Sequence, residues 1–192
     1  MAKGAYIGVS GKARKIKKGY IGVNGVARRI KKAYIGIGGV ARPCWSSGEL
    51  EYYGKIGAMT ASRGSLAATT VGNYALFGGG KKYGSSSSSY YSTVDAYNTS
   101  LTRSTPTALS TARSRLAATT VGNYALFGGG MDSTYSTVVD AYNASLTIST
   151  PTALTQKRQY LAATTVGNYA LFGGGGVSGS SYTSVVEAYT AA

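Results

Sequence analysis

The sequence predicts an all-β protein built from two kinds of internal repeat. The chain has 192 residues, and its 28 glycines and 17 tyrosines favour tight turns and aromatic strands. Short apolar runs bounded by glycine recur with one period near the start and a longer one from residue 50 onward. Basic residues outnumber acids by 20 to 6, and 11 of the 20 precede residue 44, where no acid occurs. The change in repeat period and the change in charge predict a basic N-terminal domain over residues 1–45 and a C-terminal domain over 46–192.

The N-terminal domain repeats every 14 residues, with Tyr6, Tyr20 and Tyr34 in register. Each copy has a β-branched run, a two-residue turn signal and a second run, and the signals are Ser10-Gly11, Asn24-Gly25 and Gly38-Gly39. Asn-Gly suits a hairpin turn because both positions need positive φ, which Asn tolerates and Gly adopts freely. The pattern predicts three small β-hairpins in tandem. Their apolar content is low, so we expect the domain to become ordered against a partner surface or a symmetry mate.

The positive charge of these hairpins identifies a candidate anchor. Its residues are Arg14, Lys15, Lys17, Lys18, Arg28, Arg29, Lys31 and Lys32. Three interpretations compete: nucleic acid held through its phosphates, an acidic protein surface such as a capsid or tail component, or a solvated face without a partner. The strict register favours a repeated protein contact, because a flexible phosphate-binding arm has no need of periodicity. We therefore expect docking on another protein, with nucleic acid as the second choice.

From residue 50 the repeat is longer and its copies are nearly identical. The string LAATTVGNYALFGGG begins at Leu66, Leu116 and Leu161, at spacings of 50 and 45 residues. This period and its strand-like composition predict four-stranded propeller blades. In the first copy the expected strands are 66–71, 74–77, one around 94–97 and one around 101–109.

An arginine, a glycine cluster and an acid recur in the same order in each copy. The arginines precede the first strand and the acids lie in a Val-Asp-Ala-Tyr or Val-Glu-Ala-Tyr third strand; they are Arg63, Asp95, Arg113, Asp140, Arg158 and Glu187. With these features, residues 50–192 resemble the kelch β-propeller family, although Leu101 and Leu146 stand near the place of its usual fourth-strand tryptophan. The resemblance implies three kelch-like blades. The N-terminal repeat resembles the opening of structural and tail proteins of bacteriophages of Gram-positive hosts, which implies a virion protein.

The repeated acid stands alone in each copy. No second carboxylate lies at the spacing of a calcium loop or of a glycosidase pair. A structural ion pair or hydrogen bond between the acid and the arginine is the favoured interpretation. We expect these residues to stabilise the blades and not to catalyse a reaction.

The number of strands predicts a partner chain. The third copy stops after its third strand, whereas residues 50–59 align with the outer strand around 100–109 and have no blade in front of them. Three blades are fewer than the about four to eight of a closed propeller. We expect a homodimer in which two half-propellers form a ring of about six blades, each chain completing the other's third blade by strand exchange with residues 50–59. A closed ring of more copies is the alternative.

The copies differ mainly in the loop after the triple glycine and in the stretch around the repeated arginine. In an up-and-down blade both segments lie on one rim. A rim rich in Tyr, Ser and Gly has the chemistry of antibody contact loops, so we expect it to bind a cell-surface glycan or protein. The candidate rim residues are Tyr83, Tyr90, Tyr91, Arg115, Tyr135, Tyr160 and Tyr182. The alternative is that these are drifting surface loops and solvated linkers.

Composition excludes several classes of site. The chain has no histidine, which excludes a Ser-His-Asp triad, an imidazole base and a His-built metal site. The lone Cys44 supports neither an internal disulfide nor a thiolate cluster. We expect no catalysis, no cofactor and no metal. The sequence has neither a secretion signal nor an apolar membrane span, which predicts synthesis in the host cytoplasm and no membrane partner.

These features together predict a non-enzymatic structural protein of a bacteriophage virion, as a fibre, decoration or tail component. Its N-terminus would hold it to other virion proteins, and its propeller would serve host-surface or protein recognition. A cellular kelch-type adaptor that binds a protein partner is the alternative.

Overall fold

The computed structural model describes residues 6–9, 12–15, 19–23, 26–30, 32–37, 40–46, 52–84 and 88–191. Within these ranges the regular elements are β-strands and no helix is present, so the predicted all-β class is confirmed. Contacts divide the chain into two compact units, Met1–Lys55 and Ile56–Ala192. The domain boundary between residues 45 and 46 stays a prediction.

The described strands of the first unit form three two-stranded antiparallel sheets. These strands are β1 (Tyr6–Val9), β2 (Lys12–Lys15), β3 (Gly19–Val23), β4 (Val26–Ile30), β5 (Lys32–Ile37) and β6 (Val40–Ser46). Strand β1 pairs with β2, β3 with β4, and β5 with β6. In each pair the last partners flank the turn signal, as in Val9 opposite Lys12. The turn residues themselves lie outside the described residues, and the strands on either side pair as the turn signals predict.

The second unit contains a larger antiparallel sheet for each copy of the long repeat. In chain order its strands are β7 (Ala67–Val71), β8 (Tyr74–Gly78), β9 (Lys81–Tyr83), β10 (Ser88–Tyr90), β11 (Val94–Tyr97), β12 (Arg103–Ser104), β13 (Ala117–Val121), β14 (Tyr124–Gly128), β15 (Val139–Asn143), β16 (Ile148–Ser149), β17 (Ala162–Val166), β18 (Tyr169–Gly173), β19 (Gly176–Ser178), β20 (Ser181–Tyr182) and β21 (Val186–Thr190). Sheet 1 has the order β7-β8-β11-β12, sheet 2 has β13-β14-β15-β16, and sheet 3 has β17-β18-β21. The first three strands of each sheet match the expected ones closely.

Two short hairpins extend the loops that follow the triple glycines. Strand β9 pairs with β10 in the first copy, and β19 pairs with β20 in the third. The sequence predicts variable loops in these segments, and the hairpins are an addition that it does not predict.

The fourth strand is much shorter than the expected strand around 101–109. In sheet 1 it contains only Arg103–Ser104, and in sheet 2 only Ile148–Ser149. The preceding turn limits its start, because Leu101 adopts a left-handed φ of 60° and the Asn98 side chain accepts hydrogen bonds from two backbone N–H groups of the turn.

Proline limits the other end of this strand. Pro106 has no N–H group to donate to a ladder. The chain then leaves sheet 1 for sheet 2, where the Tyr142 hydroxyl donates to the Thr107 carbonyl at 2.7 Å and Ser110 N donates to the Asp140 carboxylate at 3.2 Å. The residues expected to extend the outer strand therefore connect one sheet to the next.

The three sheets pack in succession through their first strands and their faces. Strand β13 lies between β7 and β17, and threonine hydroxyls join β7 to β13 (Thr69 to Thr120, 2.8 Å) and β13 to β17 (Thr119 to Thr165, 2.7 Å). An apolar cluster fills the space between each pair of neighbouring sheets. Each fully buried Val, Leu or Phe side chain stabilises such a contact by roughly 1.5–3 kcal/mol.

A phenylalanine packed on a glycine recurs at both of these contacts. A Cβ atom on Gly78 of sheet 1 would lie 2.8 Å from the Phe127 ring of sheet 2, and a Cβ on Gly128 would lie 2.7 Å from the Phe172 ring of sheet 3. Any side chain at these glycines would collide with the ring. The first glycine of each triple-glycine string is therefore required for the close approach of the next sheet.

Candidate ligand-binding rim

The repeated arginines and acids form ion pairs, the pairing that the repeat predicts. The Arg63–Asp95 distance is 2.7 Å and the Arg113–Asp140 distance is 2.8 Å, and Arg158 pairs with Glu187 in the same way. All but Glu187 have side chains withdrawn almost completely from solvent. Each pair joins the segment before the first strand to the third strand of the same sheet.

Asp95 collects further donors from two other segments. Thr60 donates from its N–H at 3.1 Å and from its hydroxyl at 2.7 Å, and Arg103 lies 3.0 Å away. Burial alone would raise the pKa of the Asp95 carboxyl, but the hydrogen bonds from Thr60, Arg63 and Arg103 outweigh it and lower that pKa below its ordinary value. Asp95 is therefore held as a carboxylate.

The two variable segments of each copy lie side by side, as expected for one rim. Isolated bridges pair Gly64 with Lys81, Ser114 with Met131, and Gln159 with Gly176. In each pair the first residue follows the repeated arginine and the second follows the triple glycine.

In each copy, the residue after Gly64, Ser114 or Gln159 has a backbone with positive φ. Ser65, Arg115 and Tyr160 have φ values of 55°, 57° and 54°, in the left-handed region that non-glycine residues rarely adopt. Arg115 N donates to Ser65 O at 2.8 Å, and Tyr160 N donates to Arg115 O at 2.9 Å. These backbone hydrogen bonds join each copy of the repeat to the next. Strained residues of this kind concentrate at functional sites.

These residues line a cavity of about 280 Å³. Its lining consists of Ser65, Leu66, Arg115, Leu116, Tyr160 and Leu161. Each lining pair immediately precedes a first strand, β7, β13 or β17. Since these three strands lie side by side, the cavity opens at one end of their contact and takes residues from all three copies.

A group of cations and tyrosines includes two residues of the cavity lining, Arg115 and Tyr160. We call Lys81, Tyr83, Tyr90, Arg115 and Tyr160 the rim cluster. The Arg115 guanidinium carbon lies 4.7 Å from the centre of the Tyr160 ring, and Lys81 Nζ lies 4.1 Å from the Tyr83 ring and 5.5 Å from the Tyr90 ring. These distances are those of cation–π contacts.

The Tyr83 side chain is largely exposed and links the two cations of the rim cluster. The Arg115 guanidinium beside it, and after that Lys81, hold the pKa of the Tyr83 hydroxyl below its ordinary value. Arg115 also donates to the Gln159 side chain at 2.9 Å. The exposed Tyr83 and Tyr160 rings and the half-buried Arg115 lie at the surface, whereas Lys81 is buried.

The other predicted rim residues lie elsewhere. Tyr91 packs over the buried Arg63, with 6.0 Å between the guanidinium carbon and the ring centre. Tyr135 lines a second cavity of about 260 Å³ beside Asp132. Tyr182 is strongly exposed in β20. The structure thus gathers Tyr83, Tyr90, Arg115 and Tyr160.

Sequence reasoning missed Lys81, Gln159 and Ser65. Lys81 occupies the repeat position of Met131 and Gly176, so a difference among copies was its only signal. Its position between two tyrosine rings depends on the β9–β10 hairpin, which the sequence does not predict.

Five of the eight predicted anchor residues fall in described strands. Arg14 and Lys15 lie in β2, Arg28 and Arg29 in β4, and Lys32 in β5. Lys17, Lys18 and Lys31 lie outside the described residues.

In the described part of the chain, no three His, Cys, Asp or Glu side chains are grouped so that they could hold a metal ion. The same residues include no helix with the length and apolar character needed to cross a membrane.

Comparison with known proteins gives a likeness of fold. No protein-family model matches the chain, and no curated protein matches it. A solved structure titled "Structure of YjhT" matches with a TM-score of 0.60 and 16% sequence identity, over 71% of this chain and 44% of that one. The chain therefore spans less than half the length of this structural neighbour, and the likeness concerns the all-β fold alone.

Proposed function

We propose that this protein is a non-enzymatic structural component of a bacteriophage particle, as a fibre, decoration or tail component. Its second unit contributes three propeller blades and displays a recognition rim to a host surface or a protein. The observation that carries this proposal is the rim cluster, which joins residues from segments that differ among otherwise near-identical copies. Constant strands with variable contact loops are the organisation of a binding scaffold.

The chemistry of the rim favours recognition. Tyrosine offers rigid amphipathic contact area at low entropic cost, and Arg115 adds N–H donors beside the Tyr160 ring. The buried Lys81 contacts the Tyr83 and Tyr90 rings and supports them. Such a surface suits a hydroxyl-rich glycan or the polar surface of a protein. The repeated acids Asp95, Asp140 and Glu187 face arginines, so they serve the fold and not a reaction.

The dimer and the anchor complete the proposal. Among the described residues β21 has no outer partner strand, while Tyr52 and Tyr53 lie on a segment outside any strand and are 86% and 81% exposed. This supports strand exchange between two copies. The basic strands β2 and β4 dock on other particle proteins, with nucleic acid the less favoured partner.

The rim is tested by binding of the labelled full chain to a glycan array and to intact Gram-positive cells. Replacing Tyr83, Arg115 and Tyr160 together by Ser, Ala and Ser should abolish attachment. The matched control is Tyr124→Ser, which removes a half-exposed tyrosine from the start of β14, at the opposite end of sheet 2. Attachment by the triple variant equal to that of the unaltered chain would exclude the rim as the binding surface.

The particle assignment has a separate test. An antibody against the chain should label purified phage particles in electron micrographs. Binding of a cellular protein without labelling of particles would instead favour a cellular adaptor.

A further inference from the structure

We propose that the two open sheet faces of the second unit are complementary, and that a second copy of this chain covers them. Phe77 of one copy would pack on Gly173 of the other, and the reverse contact would close the ring. The inference rests on the proposed dimer and specifies its interface, which the strand exchange alone does not.

The chain makes this contact twice within itself. Phe127 packs on Gly78, and Phe172 packs on Gly128. Gly173 is the third glycine of this kind, yet the nearest atom to a Cβ there is Cγ2 of Val186 in the same sheet, at 3.4 Å. The space that a phenylalanine ring occupies at the first two glycines is therefore open at the third.

The face around Gly173 is apolar and uncovered. Val166 is 60% exposed, whereas its counterparts Val71 and Val121 are 2% and 4% exposed. Val186 is 61% exposed, and its counterparts Val94 and Val139 are completely buried; the latter four residues all lie in the clusters between sheets. The identical residues are thus buried wherever a following sheet is present.

The opposite face of sheet 1 supplies the matching side chains. Phe77 is half-buried, whereas Phe127 and Phe172 are completely buried by the preceding sheet. Ala75 and Leu66 are also half-buried, although their counterparts in sheets 2 and 3 are buried. A phenylalanine and its apolar neighbours therefore lack the glycine face that their repeats possess.

Backbone groups at the two faces are complementary as well. Gly80 N donates to Arg113 O and Gly130 N donates to Arg158 O, both at 2.9 Å, across the contacts between sheets. Over the described ranges, neither the equivalent donor, Gly175 N–H, nor the equivalent acceptor, the Arg63 carbonyl, has a backbone partner. A second copy would join these two groups in the same way.

A second copy also fits the size of a closed ring. Closed propellers contain about four to eight blades. Two copies that each supply three sheets would form a ring of about six blades, which lies within this range. Head-to-tail contacts of this kind form a closed ring when the rotation between neighbours closes.

The experiment measures the mass of the full chain by analytical ultracentrifugation over a wide range of concentrations. We expect a dimer for the unaltered chain. Gly173→Ala should raise the dissociation constant of the dimer about tenfold or more, because the added Cβ occupies the space of the incoming ring. Within its own chain that Cβ makes only ordinary contacts, so the variant should keep its circular dichroism spectrum.

The matched control is Gly176→Ala. Its Cβ would lie 3.8 Å or more from other atoms, and the other copies carry Lys81 and Met131 at this position, so the dimer should be unaffected. Phe77→Ala provides a second variant at the opposite face and should weaken the dimer too. Gly173→Ala should raise the dissociation constant of the dimer by a smaller factor in the Phe77→Ala background, because both changes remove the same contact.

A monomer at all concentrations, an assembly of another size, or dimers of Gly173→Ala and Phe77→Ala as tight as the unaltered one would each overturn the interface. The rim variant of the preceding section, measured in the same runs, should remain dimeric. Loss of attachment by the rim variant with an intact dimer is the expected result. Attachment by an unaltered chain that is monomeric would overturn the interface and would leave the recognition function supported.

Discussion

Arg113 is almost fully buried, yet each of its nitrogen atoms has a partner. Nε donates to the Gly129 carbonyl at 2.9 Å, Nη2 to the Phe127 carbonyl at 3.1 Å and Nη1 to the Thr111 carbonyl at 3.1 Å, and the Asp140 carboxylate lies at 2.8 Å. A buried guanidinium is tolerated only when such partners replace water. The side chain therefore fixes the end of β14 relative to the segment that precedes β13.

Replacing Asp140 by Ala should lower the free energy of unfolding by about 3–5 kcal/mol, since it leaves the buried Arg113 charge without its partner. Glu187→Ala should cost less, because the Glu187 side chain is 16% exposed and water can replace it. Urea unfolding followed by circular dichroism measures both. Lys157→Ala, at an exposed position, should change the free energy of unfolding by less than about 0.5 kcal/mol. Equal stability of the Asp140→Ala and Lys157→Ala variants would contradict a structural role for the pair.

Individual residues of the rim were predictable only in part. Arg115 and Tyr160 differ among copies and could be chosen on that ground. The proximity of Lys81 to Tyr83 and Tyr90 could not, because it depends on how the loop after the triple glycine folds back. Variation identifies candidate positions, but contacts between loops are set by tertiary structure.

At the level of elements, the contact between sheets depends on glycine. Gly128→Ala should lower the free energy of unfolding by about 1–3 kcal/mol, because its Cβ would lie 2.7 Å from the Phe172 ring and sheet 3 would have to shift. Gly64→Ala is the matched control, since a Cβ there meets nothing within 4 Å. Thermal unfolding measures both variants. A Gly128→Ala protein as stable as the control would contradict this, because it would mean that sheets 2 and 3 can move apart without a loss of stability.

The inner strands were predictable and the outer strands were not. Strands such as β13 and β14 lie within the repeated string and flank a Gly-Asn turn, so both their composition and their ends were evident. Strand β12 is shorter than the expected range around 101–109, and the Thr-rich composition of this segment is compatible with strand or loop. Its length is set by the crossing to sheet 2, which is a tertiary constraint.

For the whole molecule, the uneven charge gives a test of the anchor. Replacing the eight anchor residues by Gln lowers the formal charge from +14 to +6 and should abolish cosedimentation with phage particles. Raising the salt concentration should weaken retention of the unaltered chain, since screening by salt reduces the range of electrostatic attraction. Replacing the exposed Lys82 and Lys157 by Gln is the control and should leave retention intact. Retention that is lost after nuclease treatment would instead assign the basic strands to nucleic acid.

The phenylalanine-on-glycine contact has a consequence for inheritance. Each sheet offers one set of residues to its predecessor and another to its successor, and the sets are the same in sheets 1 to 3. An unequal crossover that added or deleted a whole copy in the gene would therefore create no novel junction, because every new neighbour would meet a surface already adapted to it. Lineages of such genes can vary in copy number while the packing rule between adjacent copies stays fixed.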